Sequence, residues 1–429
     1  VTFDVIVVGA GAAGLMAASR SAVRGNSTLL LEKNKKLGVK ILMSGGTRCN
    51  ITHDTDARGI VAAFGKNGSF LHAPLAALGP HQVVDLFEQL GVPTKVESTG
   101  KIFPVSDRAL DVRDALARYA ESSGAHIAAG EAVLEIVRAN AVIENPPTSG
   151  FRVRTSQREL ACRRVILTTG GKSYPGCGTI GEGWTWVRQL GHSIIPPRPA
   201  LVPLVTREAW MHQLSGLTLE DVELSLFAAA NDRRPIDRRR GSFLFTHFGL
   251  SGPAPLNISG SVTALHNPNE YRLFANFLPG VERESLRRAW MNAARVDGKR
   301  RVVAVLAERF PKSLARALAV QVAIGDDLPM AEFSRGKFDA LLNQVFRCPI
   351  GVDGTKGFEK AEVTAGGVSL DEVDSRTMQS KLVPGLYLAG EILDLDGPIG
   401  GFNFQAAFST GWLAGESIAP STTRESQDQ

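Results

Sequence analysis

The residues Gly9-Ala10-Gly11-Ala12-Ala13-Gly14 directly follow an apolar run over 3–8, broken only by Asp4. They directly precede an Ala-rich stretch over 15–23 that reads as a helix. A continuous apolar run of that length suits a strand buried on both faces of a parallel sheet. The three glycines have separate tasks. The first permits a tight strand-to-helix turn, the second lets a pyrophosphate approach the backbone, and the third lets the helix sit close on the strand. The helix N-terminus adds unpaired N–H groups and a positive dipole end. Residues 28–31 read as the next strand, ending at Glu32, where a carboxylate can accept from ribose hydroxyls. The chain therefore opens with a dinucleotide-binding unit. This turn alone does not separate FAD from NAD.

A second cluster does separate them. Lys36-Leu37-Gly38-Val39-Lys40 and then Ser44-Gly45-Gly46-Thr47-Arg48-Cys49-Asn50 come soon after Glu32. A plain NAD unit has no use for another Gly-rich turn here, whereas FAD offers a pyrophosphate and a ribityl chain to wrap. Arg48 has the charge to neutralise phosphate or to face the flavin. Cys49 beside Arg48 raises a redox-thiol reading, but no second cysteine stands at a short spacing to resolve a disulfide. The four cysteines, Cys49, Cys162, Cys177 and Cys348, fit neither a zinc site nor a CxxC pair. Free thiols in a reducing cytoplasm are the expectation, with Cys177 in a Gly-rich loop left open.

At 429 residues the chain has room for two or three domains, and 44% hydrophobic with 21% charged residues is an ordinary globular balance. Strands are expected over 132–137, 151–155 and 164–167, the last running into Thr168-Thr169-Gly170-Gly171. Helices are expected over 80–90 and 110–121. The character changes at Ile194-Ile195-Pro196-Pro197. Short apolar runs with few helices fill 201–276, and a helical pattern fills 283–346, with Leu286, Trp290, Val302, Leu306, Leu314, Leu318, Leu341 and Val345 at helix-like spacings. Glycine clusters resume near Glu362, and an amphipathic helix over 405–417 closes the pattern. Lysine and arginine exceed aspartate and glutamate by five, 48 against 43. The Arg233–Arg234 and Arg238–Arg240 run lacks interleaved aromatics and reads as a solvated loop or hairpin tip. A nucleic-acid partner is not expected. No basic n-region precedes the first apolar run and no apolar run reaches ~18–20 residues, so neither a secretory signal nor a membrane span is expected.

On these motifs the chain resembles the bacterial HI-type flavoprotein family, also called BaiN-like or aminoacetone-oxidase-like. The matching stretches are residues 9–14, 37–50, Ile102-Phe103-Pro104-Val105-Ser106-Asp107, and 168–171. They continue through Phe245-Thr246-His247-Phe248-Gly249-Leu250-Ser251-Gly252-Pro253, Thr364-Ala365-Gly366-Gly367-Val368 and residues 384–411. Two departures stand out: Thr47 where the family has a third glycine, and Gln379 where it has Glu. The resemblance implies an α/β fold with a split Rossmann-like FAD-binding domain over 1–193 and 362–418. Into it are inserted a β-barrel-like domain, 194–280 and 347–361, and a small helical domain, 281–346. The tail, 419–429, is expected to be flexible.

Carried over by residue, the resemblance implies non-covalent FAD with its pyrophosphate on Gly9, Gly11, Ala12, Ala13 and Gly14, and its adenosine ribose on Glu32 with Lys33 beside it. Val133 offers its backbone to adenine. Lys40, Ser44, Gly45, Gly46, Arg48, Cys49 and Asn50 flank the cofactor, as do Thr169, Gly170 and Gly171. Glu391 lies toward the ribityl chain. Gly401, Phe402, Asn403 and Phe404 open the last helix, whose dipole favours negative charge on a reduced flavin. Asp394 and Asp396 have three open roles: substrate, ribityl hydroxyls, or capping a turn. His247 is the acid–base candidate, either catalytic or a structural ring held by a backbone carbonyl. The insertion, with His247 and residues 249–253, is expected to cover the flavin and form the substrate pocket.

The expected activity is that of an FAD-dependent oxidoreductase on a small-molecule substrate, with NAD(P)H or oxygen as redox partner. NAD(P)H would dock only transiently over the flavin. The alternatives are a small aminoketone oxidase and a non-catalytic or tRNA-associated flavoprotein.

Overall fold

The computed structural model describes residues 2–139, 150–231, 233–265 and 267–420. The chain forms two compact units, residues 1–199 with 361–429, and residues 200–360.

The first unit is built on a parallel sheet. In spatial order its strands are His126–Ala129, Thr28–Glu32, Thr2–Val8 and Glu159–Leu167. The last of these forks. Its first half pairs antiparallel with Gly150–Thr155, which pairs in turn with Val133–Ala139, and its second half pairs parallel with Leu386–Leu388. A strand from the far end of the chain thus extends the sheet that the N-terminus begins. Val5, Ile6, Val7 and Leu30 expose no surface, as two-sided burial of a parallel sheet requires. The forked strand starts at Glu159, five residues before the expected start at Arg164. Its first residues alternate exposed and buried, with Leu160 and Cys162 inward, the pattern of a sheet covered on one face.

Helices Ala12–Val23 and Phe402–Glu416 lie together beside this sheet. A Cβ at Gly411 would stand 2.2 Å from the Ala13 carbonyl oxygen, and one at Gly415 would stand 2.4 Å from that of Ala17. Only glycine at this four-residue spacing lets the two backbones approach so closely. The closing helix begins at Phe402, three residues earlier than its amphipathic pattern, because Gly401 at φ +92° sets the turn into it.

The second unit holds an antiparallel sheet in the order Cys348–Ile350, Tyr271–Asn276, Thr218–Ala228, Asp237–Thr246, Gly249–Ser251, Leu204–Thr206, Val352–Thr355. Its two end strands are separated in sequence only by Gly351. One nearly continuous stretch of chain thus pairs with Tyr271–Asn276 at one end of the sheet and with Leu204–Thr206 at the other, the connectivity of a barrel-like sheet. A helix, Pro253–Ala264, crosses this sheet where few helices were expected. Pro253 and Pro255 hide the pattern, yet both occupy the first turn, where a missing N–H costs nothing. Helices Arg283–Val296, Val302–Leu306, Lys312–Val320 and Arg335–Phe346 follow, burying the eight apolar residues singled out by their spacing. Among the described residues no helix is long and apolar enough to cross a membrane. Residues 421–429 of the expected tail lie outside the described residues.

Candidate functional site

The Gly9–Gly14 turn shows why each glycine stands where it does. Gly9 has φ +99°, and a Cβ there would lie 2.8 Å from the Thr168 carbonyl oxygen. At Gly14 a Cβ would lie 1.8 Å from the Gly9 carbonyl oxygen, whereas at Gly11 it would meet no atom within 4 Å. Two glycines are thus demanded by the protein's own packing, and the middle one keeps clear the approach to the helix. The helix starts without a side-chain cap and without an acidic residue in its first turn. Its first intrahelical bond runs from Leu15 N–H to the Gly11 carbonyl, 3.0 Å, so the N–H groups of Ala12, Ala13 and Gly14 precede the ladder. This arrangement fits a pyrophosphate.

Glu32 is 9% exposed at the end of its strand. One carboxylate oxygen accepts from Ala10 N–H at 2.8 Å, the other from Asn34 N–H and Asn34 Nδ2, each at 2.9 Å. The carboxylate is therefore held in a fixed orientation beside the turn. Residues 130–133 run along the same edge. Gly130 N–H donates to the Asn34 carbonyl and Glu131 N–H to that of Glu32, which places Val133 at the sheet edge near Glu32.

Other predicted residues converge on the turn from distant parts of the chain. Gly38 N–H donates to the Ala10 carbonyl at 2.9 Å, joining the second glycine cluster to the first. The Thr168 hydroxyl lies 2.9 and 2.8 Å from the carbonyl oxygens of Val8 and Gly9. Gly390 leaves a Cβ only 2.9 Å from that of Ala13. Lys40 Nζ donates to both Glu391 and Ser173 at 2.6 Å. Glu391 also accepts from Ser173 Oγ at 2.9 Å and from Thr364 N–H at 2.7 Å. At Gly171 a Cβ would fall 2.5 Å from Thr364 Oγ1 and 3.0 Å from Glu391 Oε1. Two residues absent from the expected set complete this network: Ser173 bonds both Lys40 and Glu391, and Thr364 bonds Glu391 through its N–H and accepts from Ser173 N–H.

The 44–50 turn faces the start of the last helix. Cys49 N–H donates to the Ser44 carbonyl, closing the turn. With its amide set to satisfy its neighbours, Asn50 donates to the Thr52 carbonyl and accepts from Gly401 N–H, both at 2.9 Å. His53 bonds the Gly400 carbonyl at 3.0 Å and stacks on Phe402 at 4.6 Å between ring centroids.

Several expected side chains turn elsewhere. The Arg48 guanidinium pairs with Glu97 at 2.6 Å and Asp107 at 3.5 Å and lies 4.0 Å over the Phe103 ring. Lys33 pairs with Glu182. The Asn403 side chain bonds Gly397 and Pro398, and the Phe404 ring lies against Phe408. Cys49 is fully buried and its thiol is pushed up to about 12 by that burial. Burial also raises Cys162, Cys177 and Cys348. A buried neutral thiol is inert, which removes a redox or flavin-linking role. His247 lies in the second unit, exposed at the turn after Asp237–Thr246, edge-on to Phe248 with centroids 5.0 Å apart. No backbone carbonyl among the described residues holds its ring.

The loop between Glu391 and Gly401 carries two more carboxylates. Asp394 accepts from Gly366 N–H at 3.0 Å and from Asn67 Nδ2 at 3.3 Å, so it braces the loop. Asp396 has no such partner among the described residues. Burial pushes its carboxyl up to about 6, with Asp394 and Glu391 adding to the rise and Arg198 and Lys66 opposing it. That burial suits Asp396 to carry a proton in mildly acidic to neutral solution.

Comparison with known proteins gives a consistent picture. The family model for the HI0933-like protein Rossmann domain matches residues 3–417. The chain is 32% identical over 416 residues to a ribosomal RNA dihydrouridine synthase of Escherichia coli, covering 97% of this chain and 98% of the relative. It is 30% identical over 416 residues to a 3-dehydro-bile acid delta(4,6)-reductase of Clostridium scindens, covering 96% and 98%. Among solved structures, a 3-ketosteroid-delta4-(5alpha)-dehydrogenase of Rhodococcus jostii, in complex with 4-androstene-3,17-dione, shares the fold. The TM-score is 0.50 at 16% identity, covering 98% of this chain and 97% of that one.

Proposed function

The chain belongs to the HI0933-like family and is an FAD-dependent oxidoreductase; from that premise we propose that it reduces a carbon–carbon double bond conjugated to a carbonyl group, drawing electrons from NADH or NADPH. The observation that carries this reading is the bond type shared by the two relatives' names. Dihydrouridine is uridine with two hydrogens added across a bond conjugated to a ring carbonyl. Delta(4,6) reduction of a 3-dehydro-bile acid saturates bonds conjugated to a ketone. The two substrates differ greatly in size and charge, and the electron-poor double bond is what they have in common.

FAD, when bound, supplies the hydride relay between the nucleotide and that bond. The chain's own residues bind, orient and protonate. The N–H groups of Ala12, Ala13 and Gly14 hold the pyrophosphate, Glu32 the adenosine ribose, and the Val133 backbone the adenine. The Lys40–Glu391–Ser173 network and the backbone of Gly401–Phe404 line the ribityl and flavin side. Saturating the bond also requires a proton at the carbon next to the carbonyl, and Asp396 is our candidate to hold it. His247 is a separate candidate. His247→Ala with FAD retained and substrate reduction slowed assigns it to turnover, and a wild-type rate removes it.

A small conjugated ketone is the preferred substrate class. The name of the Escherichia coli relative favours a second, a uridine in ribosomal RNA. The densest basic run does not add to it, because Arg238, Arg239 and Arg240 lie against Glu223, Asp237 and Asp221. The experiment is anaerobic flavin bleaching with NADH, NADPH and small amines in turn. The bleached protein is then offered a dienone steroid acid or a uridine-bearing ribosomal RNA transcript. Bleaching by pyridine nucleotide and recovery of flavin absorbance with the ketone is the expected result. Recovery only with RNA selects the second reading, bleaching only by amines selects an amine oxidase, and recovery with neither acceptor overturns the proposal.

A further inference from the structure

The last helix, Phe402–Glu416, is entered through two glycines in conformations that side-chain-bearing residues rarely adopt. Gly400 and Gly401 stand at φ +131° and +92°, and a Cβ at Gly401 would lie 2.4 Å from the Thr52 carbonyl oxygen. The helix starts without a side-chain cap and without an acidic residue in its first turn. Its ladder opens with Gln405 N–H on the Gly401 carbonyl at 3.0 Å. Among the described residues the N–H groups of Phe402, Asn403 and Phe404 therefore meet no acceptor. We propose that His53 is a positioning residue for this helix start: by holding the Gly400 carbonyl it fixes the direction of those donors, and so stabilises negative charge on reduced flavin. The inference rests on the reading that the Gly401–Phe404 backbone faces the flavin, and deepens it by naming the side chain that keeps the backbone there.

Two consecutive glycines have no side chain to resist rotation, so the peptide between Gly400 and Gly401 has to be held from outside. One short segment holds both its ends. Asn50 accepts from Gly401 N–H at 2.9 Å, and His53 bonds the Gly400 carbonyl at 3.0 Å through Nδ1. A carbonyl only accepts, so Nδ1 carries a proton and donates. Turning the peptide over would break both bonds at once. It would also set a carbonyl where a donor stands beside the first turn, the wrong sign of partial charge for a reduced flavin.

His53 is itself fixed from three directions. It lies on the strand Thr52–His53, which pairs antiparallel with Lys101–Pro104, Thr52 opposite Ile102 and His53 opposite Lys101. Next to it, the Thr52 hydroxyl donates to Gln405 Oε1 at 2.6 Å, and Gln405 Nε2 donates to the Leu78 carbonyl at 3.0 Å. The strand is thus tied to the same helix that His53 positions. One face of the imidazole stacks on Phe402, with centroids 4.6 Å apart and planes 25° from parallel. Its far edge rests on Gly100, at φ +76°, where a Cβ would be 2.7 Å from Nε2. With a ring on one side and backbone on the other, the imidazole holds the Gly400 carbonyl rather than reaching toward a substrate.

The test uses the FAD-loaded protein and reads the flavin midpoint potential by anaerobic reduction against a reference dye. His53→Leu keeps bulk beside Phe402 but cannot donate. It should shift the balance of reduced to oxidised flavin about tenfold toward the oxidised form, the scale of one partly buried helix-end interaction with a charge. For a two-electron couple that is about 30 mV. His53→Asn places its amide Nδ2 where Nδ1 stood, because both atoms lie one position beyond Cγ. It should restore the wild-type potential without a stacking ring. Amide exchange over residues 400–404 should be faster in His53→Leu and close to wild type in His53→Asn. A His53→Leu potential equal to that of the wild type, or a His53→Asn variant that behaves like His53→Leu, overturns the proposal. Should His53→Leu release FAD, exchange over residues 400–404 decides, and an unchanged rate overturns it. Failure of the underlying reading looks different. Exchange at residues 402–404 of the wild type would then be the same at sub-saturating and saturating FAD, and faster exchange in His53→Leu would show a clamp that does not act on the flavin.

Discussion

The two glycine-rich turns of the first unit use glycine for different reasons. In Gly9–Gly14 the residue is demanded by neighbours: at Gly14 a Cβ would overlap the Gly9 carbonyl at 1.8 Å and the Thr168 hydroxyl at 2.6 Å. In residues 44–50 it is demanded by conformation. Gly46 has φ +66° and nothing within 4 Å of a Cβ. Two non-glycine residues of the same turn, Thr47 at φ +71° and Cys49 at φ +62°, share its left-handed geometry. Gly14 of the first turn tolerates no side chain, whereas Gly46 of the second tolerates one at the energetic cost of the conformation. A substitution that adds a methyl group to each turn should therefore separate steric exclusion from backbone strain.

The largest effect is expected at Gly14. Gly14→Ala forces the first helix away from its strand, which moves the N–H groups that face the pyrophosphate. A loss of about 4 kcal/mol or more is expected, the range of backbone overlap in a close-packed core, with purified protein lacking flavin absorbance. Gly46→Ala should cost only about 1–2 kcal/mol, the left-handed penalty of one residue. Thermal melts of the two variants with FAD content measured alongside decide the matter, and equal losses would erase the distinction.

This contrast also explains what could be read from the sequence. Where function needs a special backbone, the chain must spell it with glycine, so the first turn, its strand and Glu32 were legible. The Lys40–Glu391 bond, across 351 positions, was not. Nothing local marks a lysine whose partner arrives on a returning strand, and Ser173 and Thr364 look like ordinary small polar residues. Arg48 illustrates the opposite case. Its place in a glycine cluster suggested a phosphate or the flavin, while its partners Glu97 and Asp107 come from a separate hairpin that spacing does not reveal. The Pro253–Ala264 helix was hidden by two prolines that are harmless only because they fall in its first turn.

Glu32 should give the next largest effect, and it sharpens the comparison by perturbing the first turn through a side chain instead of the backbone. Glu32→Ala removes a ribose acceptor and strips Ala10 and Asn34 N–H groups of their partner. Each charge-assisted bond contributes ~1.5–3 kcal/mol, so FAD affinity should fall by one to two orders of magnitude. Glu32→Gln keeps an acceptor for Ala10 and should lose less. Unchanged affinity in a flavin titration would show that the ribose is held elsewhere.

Asp396 predicts a pH dependence. Burial pushes its carboxyl up to about 6 in the folded protein, from an ordinary 3.8. A group raised on folding stabilises fully below its unfolded value and loses that contribution as pH rises through the folded one. Asp396→Asn should therefore stabilise the protein by about 1–3 kcal/mol at pH 7.5 and by little at pH 4. If Asp396 also holds the substrate's proton, double-bond reduction should decline above pH 6 in the wild type and be slow and pH-flat in the variant. A melting curve that shifts equally at both pH values would remove the titration from the loop.

The smallest effect, and the one with opposite sign, is expected at Thr47. A β-branched residue in the left-handed region carries a strain of roughly 1–2 kcal/mol. Its hydroxyl recovers part of this by donating to the Gly46 carbonyl at 2.5 Å, and the side chain is otherwise exposed. Thr47→Gly relieves the strain, gives up that bond, and adds unfolded-state entropy of about 0.5–1 kcal/mol. The net should be a small stabilisation, about 0.5 kcal/mol, or roughly 1–2 °C in melting temperature. Thr47→Ala keeps the strain, loses the bond, and should be less stable than either. Both positions then rank Gly above Ala, but at 47 the larger threonine stands above alanine, an order that strain offset by a hydrogen bond gives and steric exclusion does not. A Thr47→Gly variant that melts well below the wild type would mean that the threonine side chain makes a contact the strain argument ignores, and the two turns would then obey one rule.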